Sequence, residues 1–416
     1  MTQKLCTTKG TVVAATCWFT AIVNAVFNAG AQDSAAFRPS PVEGEPEIHV
    51  LQYGIFDVRP TLFGTIAYDD NILTRDINKR SDVVFTFSPS VLLGAGDYRQ
   101  REAAMLTFSY TPSFIFYADN TRFNRNNHEL EAEAMARPGK WTLGLKQDVR
   151  ILTGTDSDVG TLVDRNIYTT HARVAYEISP KTSAELGAAL SVNDYDLAKT
   201  VNNYKEWSVS GFVDYALTPK VKVGGGVTAG WVNNEGANID QSYQQFLVRS
   251  LYSWSEKLDF TGKFGLEVRE FGESGSNQSV GNEVNPVLSL GATYRPDEKF
   301  SLSAEAHRRV ESSVVLANQN YTTTGFSLTA RYLLNDRWAF NFGGAYDRNE
   351  YHATAPNVPA QRRDNIFSAR VGADWRITER FVAGLFYQYR INDSTGGGPQ
   401  FKYSNNQVGL SLAYRF

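Results

Sequence analysis

The sequence predicts an all-β fold, a transmembrane antiparallel β-barrel of about 18 strands with short periplasmic turns and long extracellular loops. Three observations predict it. The last stretch, Asn405 to Phe416, alternates strictly: Val408, Leu410, Leu412, Tyr414 and Phe416 share one strand face, and Gln407, Gly409, Ser411, Ala413 and Arg415 share the other. Short polar turns ending in a base recur roughly every 40 residues, a spacing to be weighed against repeat architectures. Between turns lie two long strand-like runs separated by one long polar loop. A terminal strand with an open edge invites pairing with other chains, and closure onto the first strand removes that edge.

Composition agrees. The 416 residues include 25 Phe, 21 Tyr and 33 Gly but only three Met, and mean hydropathy is -0.33, which excludes a bundle of apolar helices. Strands with one lipid-facing side and aromatic belts use such residues. A net charge of -3 argues against a nucleic-acid binder.

The chain opens with a signal-peptide pattern: Lys4 and Lys9, an apolar run from Thr11 to Phe27, and Ala29-Gly30-Ala31 as cleavage motif. Thr16, Thr20 and Asn24 interrupt that run and disfavour a transmembrane anchor. Cleavage near Ala31 removes Cys6 and Cys17, so the exported chain has no thiol to pair. The expected organisation is a signal peptide (1–31), a periplasmic N-terminal extension (32–54) and the outer-membrane barrel (55–416). The extension carries Pro39, Pro41 and Pro46 among Glu43, Glu45 and Glu47, a composition that reads as an extended lead-in or a docking tail.

The short turns are Ser179-Pro180-Lys181, Thr218-Pro219-Lys220, Ser255-Glu256-Lys257, Pro296 to Lys299, Asn335-Asp336-Arg337 and Thr378-Glu379-Arg380, with Arg137 to Lys140 a looser copy. Propeller blades share this period but need four short strands per repeat, and Asn365 to Ile377 and Phe381 to Asn392 are too long for blade strands. External loops are expected at Asp69–Asp82, Asp119–His128, Gly154–Arg165, Tyr195–Asn203, Asn233–Ser242, Gly272–Val284, Ser313–Tyr321, Glu350–Asp364 and Asp393–Ser404, all rich in turn-forming polar residues.

Within strands one face is apolar and the other polar: Phe367, Val371 and Trp375 oppose Arg370 and Asp374, and Phe260, Phe264 and Leu266 oppose Lys263, Glu267 and Arg269. The predicted lumen therefore carries Lys146, Arg150, Arg173, Arg249, Lys263, Arg269, Arg331, Arg370, Asp374, Arg390 and Arg415. Acidic residues, among them Glu129, Glu131, Glu133, Glu185 and Asp214, face the same way. Either these charges pair to stiffen the wall, or the cations filter polar or anionic solutes.

No catalytic, metal or cofactor site is expected. His49, His128, His171, His307 and His352 show no triad arrangement, and neither G-x-S-x-G nor HExxH occurs. Gly224-Gly225-Gly226 lies inside a strand pattern, not before a helix as a phosphate loop requires.

The first strand and loop, Val58-Arg59-Pro60 through Asp69-Asp70-Asn71-Ile72-Leu73, resemble the opening of the β-barrel porin family often encoded within exopolysaccharide gene clusters. The resemblance is strongest over Val58 to Leu73 and beyond that is one of pattern, long hairpins and a terminal aromatic. It implies an outer-membrane protein that serves, as conduit or accessory porin, the export of a surface exopolysaccharide with export-complex partners. A general diffusion porin for small polar solutes is the alternative; a lipid-modifying enzyme or an adhesive barrel are further ones. Asp69, Asp70 and Asn71 are the family-like motif, read as a strand end and turn. Outer-membrane lipid is the expected surrounding, and Tyr414 and Phe416 are the expected assembly signal for the barrel-assembly machinery.

Overall fold

A computed structural model describes residues 51–101, 103–196, 202–235, 238–272 and 281–416. The expected signal peptide and most of the N-terminal extension lie outside them. The strands in chain order are β1 (Leu51–Tyr53), β2 (Phe56–Asp69), β3 (Asp82–Gly96), β4 (Met105–Tyr117), β5 (Arg125–Ala136), β6 (Trp141–Asp156), β7 (Thr161–Ser179), β8 (Thr182–Asp196), β9 (Tyr204–Thr218) and β10 (Val221–Asn234). Then follow β11 (Gln241–Ser255), β12 (Leu258–Phe271), β13 (Glu283–Asp297), β14 (Phe300–Ser312), β15 (Gln319–Leu333), β16 (Trp338–Ala353), β17 (Arg363–Arg376), β18 (Phe381–Thr395) and β19 (Tyr403–Arg415). From β2 on, each strand pairs antiparallel with the next, and β19 returns to β2, with Leu410 opposite Ile66, closing an 18-strand barrel. β1 pairs only with the start of β2, so the last residues of the expected lead-in form a short hairpin.

The recurring turns have one chemistry. In five of them a side chain two residues before the base accepts backbone N–H groups two and three residues on: Asn335 Oδ1 from Arg337 at 2.9 Å and Trp338 at 3.0 Å, Asp297 Oδ1 from Lys299 and Phe300 at 2.9 Å. Thr378, Thr218 and Ser179 do the same through their hydroxyls. A short acceptor at that position replaces a missing ladder bond and reverses the chain.

The period-two pattern then sorts the faces. Phe264, Leu266, Phe367, Leu385 and Leu410 are exposed on the outer wall, as a lipid-facing surface requires. Near the turns the outer wall carries aromatic pairs, Trp338–Trp375 at 5.8 Å and Phe381–Tyr414 at 4.6 Å between ring centroids. Trp207 and Trp231 stack at 4.1 Å toward the other rim, forming part of a second belt. The inner face is not uniformly polar, because Phe63, Val382 and Ala413 pack together inside the barrel.

One expected loop is absent. Gly154–Arg165 is mostly ladder, with Thr155 opposite Leu162 and Gly154 opposite Val163, and the chain reverses in the four residues 157–160. Tertiary pairing overrides its turn-like composition, which carries β6 and β7 well up into the outer rim.

Candidate functional site

The barrel closes through the family-like motif. Asp69 accepts the Asn405 amide at 2.6 Å and the Gln407 amide at 2.5 Å, while Asp70 accepts the Asn406 backbone N–H and side-chain amide, both at 2.7 Å. Asn71, fully buried, donates to Ser404 O at 2.9 Å and Arg75 O at 2.7 Å. The three residues thus bind the last strand to the first at the outer end. At the opposite end Tyr414 and Phe416 form an edge-on aromatic pair, with ring centroids 4.8 Å apart.

Inside, a cavity of about 510 Å³ lies against the wall of β6 to β15. Its charges bridge strands across glycines. Arg249 on β11 reaches over Gly224 to Asp214 on β9 with Nε–Oδ1 at 2.8 Å and Nη2–Oδ2 at 2.6 Å, and its Nη1 holds Glu185 at 2.9 Å. A Cβ at position 224 would lie 2.1 Å from Asp214 Oδ1, so only glycine leaves the bridge room. His307 on β14 reaches Asp347 on β16 at 3.2 Å over Gly325 in the same manner.

Besides Arg249, three of the sequence-expected lumenal cations sit in ion pairs. Arg173 meets Glu185 at 2.6 Å, Arg269 meets Glu267 at 2.8 Å, and Lys146 lies between Glu131 and Asp148 at 3.4 and 3.6 Å. Arg390 donates to Asn405 Oδ1 at 2.9 Å, and Arg370 lies over the Phe386 ring at 5.5 Å. Asp374 accepts the Asn341 amide at 2.8 Å, and Arg331 is the register neighbour of Asn341. Arg415 ends β19 opposite Thr61. Arg150 and Lys263 line the cavity. Arg150, Arg173, Arg249, Lys263 and Arg269 are thus brought to one cavity, and Lys146, Arg331, Arg370, Asp374, Arg390 and Arg415 are not among its lining residues.

Over the outer mouth the rim segments join in a buried polar cluster absent from the expected sites. Asp158, in the β6–β7 turn, accepts Val314 N at 2.7 Å, Tyr351 Oη at 2.8 Å and Ser313 Oγ at 3.1 Å. Arg362, at the end of the β16–β17 loop, donates to Asp158 O at 2.8 Å and Ser157 O at 2.7 Å and is paired with Asp364 at 2.6 Å. Its guanidinium lies 3.5 Å from the centroid of Phe401, in the β18–β19 loop. Burial, the largest influence, pushes the Asp158 carboxyl above the ordinary carboxylate range; Arg362 pulls against it and Asp156 adds to the rise. Both ends of the expected loop Glu350–Asp364 are therefore held against the β6–β7 turn.

His171 and His307 face inward and line the cavity. The register also places Ser289 opposite His307, with Asp347 on the imidazole's other side, a row that sequence spacing concealed. No hydrogen bond joins Ser289 to His307 among the described residues, and no group of three or more metal-ligating side chains forms among them.

Residues 168–332 match the model of an outer membrane protein beta-barrel domain. With the closed 18-strand wall, this makes the chain an outer-membrane β-barrel. None of the curated proteins matches it. Among solved structures it is similar in outline to Pseudomonas aeruginosa OccK2 (OpdF) in complex with glucuronate, at 9% identity over 86% of this chain and 98% of that one, with a TM-score of 0.45. Pseudomonas aeruginosa OpdO, at 10% identity over 86% and 97%, gives 0.43, and the copper transporter OprC, at 10% over 89% and 82%, gives 0.45.

Proposed function

We propose that the barrel is a pore for small polar solutes, entered through an outer mouth that the Asp158–Arg362 cluster keeps closed until it is displaced. The observation that carries this reading is the charge-lined cavity of about 510 Å³ inside a wall whose other face is apolar. A barrel of this width leaves room beside the paired wall charges for water or a small solute. The cations act there as the selecting groups.

A second reading, passage of an exported surface polysaccharide with inner-membrane and periplasmic partners, is favoured by the resemblance over Val58 to Leu73. Asp69 to Asn71 have, however, a sufficient role in barrel closure, and that role needs no polymer pathway. Assembly through the terminal aromatics Tyr414 and Phe416 fits either reading.

The test is to compare a deletion strain with its parent for polar-solute uptake and extracellular polysaccharide, alongside swelling of proteoliposomes in sugars of increasing size. Slowed uptake with normal polymer, and size-limited swelling, are expected. Lost polymer with unchanged uptake transfers the protein to the second reading.

A further inference from the structure

The wall of the cavity has an order that the overall charge balance hides. One register row runs Phe212, Gly226, Leu247, Gly265, Val287 across β9 to β13; its three large side chains pack as an apolar cluster in the cavity wall, with the Arg249 guanidinium 4.1 Å over the Phe212 ring. The adjoining row runs Asp214, Gly224, Arg249, Lys263, Ser289 across the same strands. An apolar strip thus borders directly on a charged one.

The charged row is not neutral. Arg173, Arg249 and Lys222 already occupy Glu185 and Asp214, at 2.6 Å, 2.6 Å and 3.6 Å for their respective closest pairs. Lys263, opposite Arg249 in the row, is a further cation on this part of the wall. Among the described residues its ammonium forms neither ion pair nor hydrogen bond, and the Ser289 hydroxyl next to it is likewise unused. Two idle donors, one charged, stand beside an apolar patch on a cavity wall, where an anion is less screened than in bulk water.

We propose that Lys263 and Ser289 bind the carboxylate of a small organic acid whose apolar body lies along the row at Leu247 and Val287. The ammonium supplies the charge and the hydroxyl a directed hydrogen bond. The glycines at 226 and 265 keep the strip free of further side chains. This names the solute class of the proposed pore and rests on that reading.

The test uses the full chain folded in detergent, with benzoate and its uncharged counterpart benzamide as probes in titration calorimetry. Benzoate is expected to bind at least about tenfold more tightly than benzamide, a difference of one charge-assisted contact. Lys263→Gln should remove most of that preference while leaving benzamide binding unchanged, and Leu247→Ala should weaken both probes. Ser289→Ala, a smaller change on the wall, should weaken benzoate alone and serves if the lysine variant does not fold. Equal binding of the two probes, no benzoate binding at millimolar concentration, or unaltered preference in folded Lys263→Gln or Ser289→Ala protein overturns the proposal. Sugar-driven swelling of proteoliposomes is measured in parallel. Swelling without benzoate binding removes the subsite and leaves the pore, whereas binding without swelling removes the pore and leaves an anion site.

Discussion

Asp158 and Arg362 belong to opposite walls of the barrel, the β6–β7 turn and the β16–β17 loop, yet meet at the outer mouth with Arg362 Nη1 2.8 Å from Asp158 O and 3.4 Å from its carboxylate. Both are buried, and Asp364 and Tyr351 complete the cluster. Contacts of this kind close the mouth only while every partner is present, because a lone buried charge is strongly unfavourable.

Replacing Arg362 with Ala should therefore open the mouth. Unitary conductance in planar bilayers is expected to rise by about twofold or more, with the wall intact. Unchanged conductance in the folded variant would show that the cluster does not limit passage.

Acid should favour closure. The buried Asp158 carboxyl holds its proton more tightly in the closed cluster than when the turn is free in water. Its raised value means that this contribution to closure is fully present below the ordinary aspartate range and fades as pH rises through the raised value. Conductance should accordingly fall on acidification toward the ordinary carboxylate range. Asp158→Asn, neutral at every pH, should abolish the dependence arising from this carboxyl. A wild-type profile in that variant would assign the titration to another group.

At the seam, Asn405→Ala should leave the Asp69 carboxylate and Arg390 each without one buried partner. The loss is expected to be about 2 kcal/mol. On a detergent gel the folded band should convert to the unfolded position at lower temperature than in the parent chain.

Gly224→Val places side-chain atoms where Asp214 meets Arg249. Separating that buried pair should destabilise the barrel by about 3 kcal/mol or more, read from the same gel shift. A substitution at Gly225, whose side chain would meet open space, is the matched control.

The barrel was legible because its rules are local. Alternation in Phe367 to Ile377 names the two faces, and an acceptor such as Asn335 or Thr378 two residues before a base names each turn. What escaped depends on register. Asp69 finds Asn405 and Gln407 at the far end of the chain, and Arg249 finds Asp214 across an intervening strand, so neither pairing has a sequence spacing. Gly224 and Gly226 read only as part of a strand pattern and are clearances for a neighbour's side chain. The outer cluster was missed for another reason: Asp158 and Arg362 lie in polar segments, and polar segments are ordinarily read as solvated.

The seam has a consequence for biogenesis. Asp69 and Asn405 are separated by 336 positions, so their bond can form only after every intervening hairpin has been laid down. A chain stalled or cut before its last strand keeps a bare edge at β2 and leaves the carboxylates of Asp69 and Asp70 unanswered. Only a chain that reaches its last strand can close the ring and satisfy these carboxylates, so closure depends on both ends of the barrel at once.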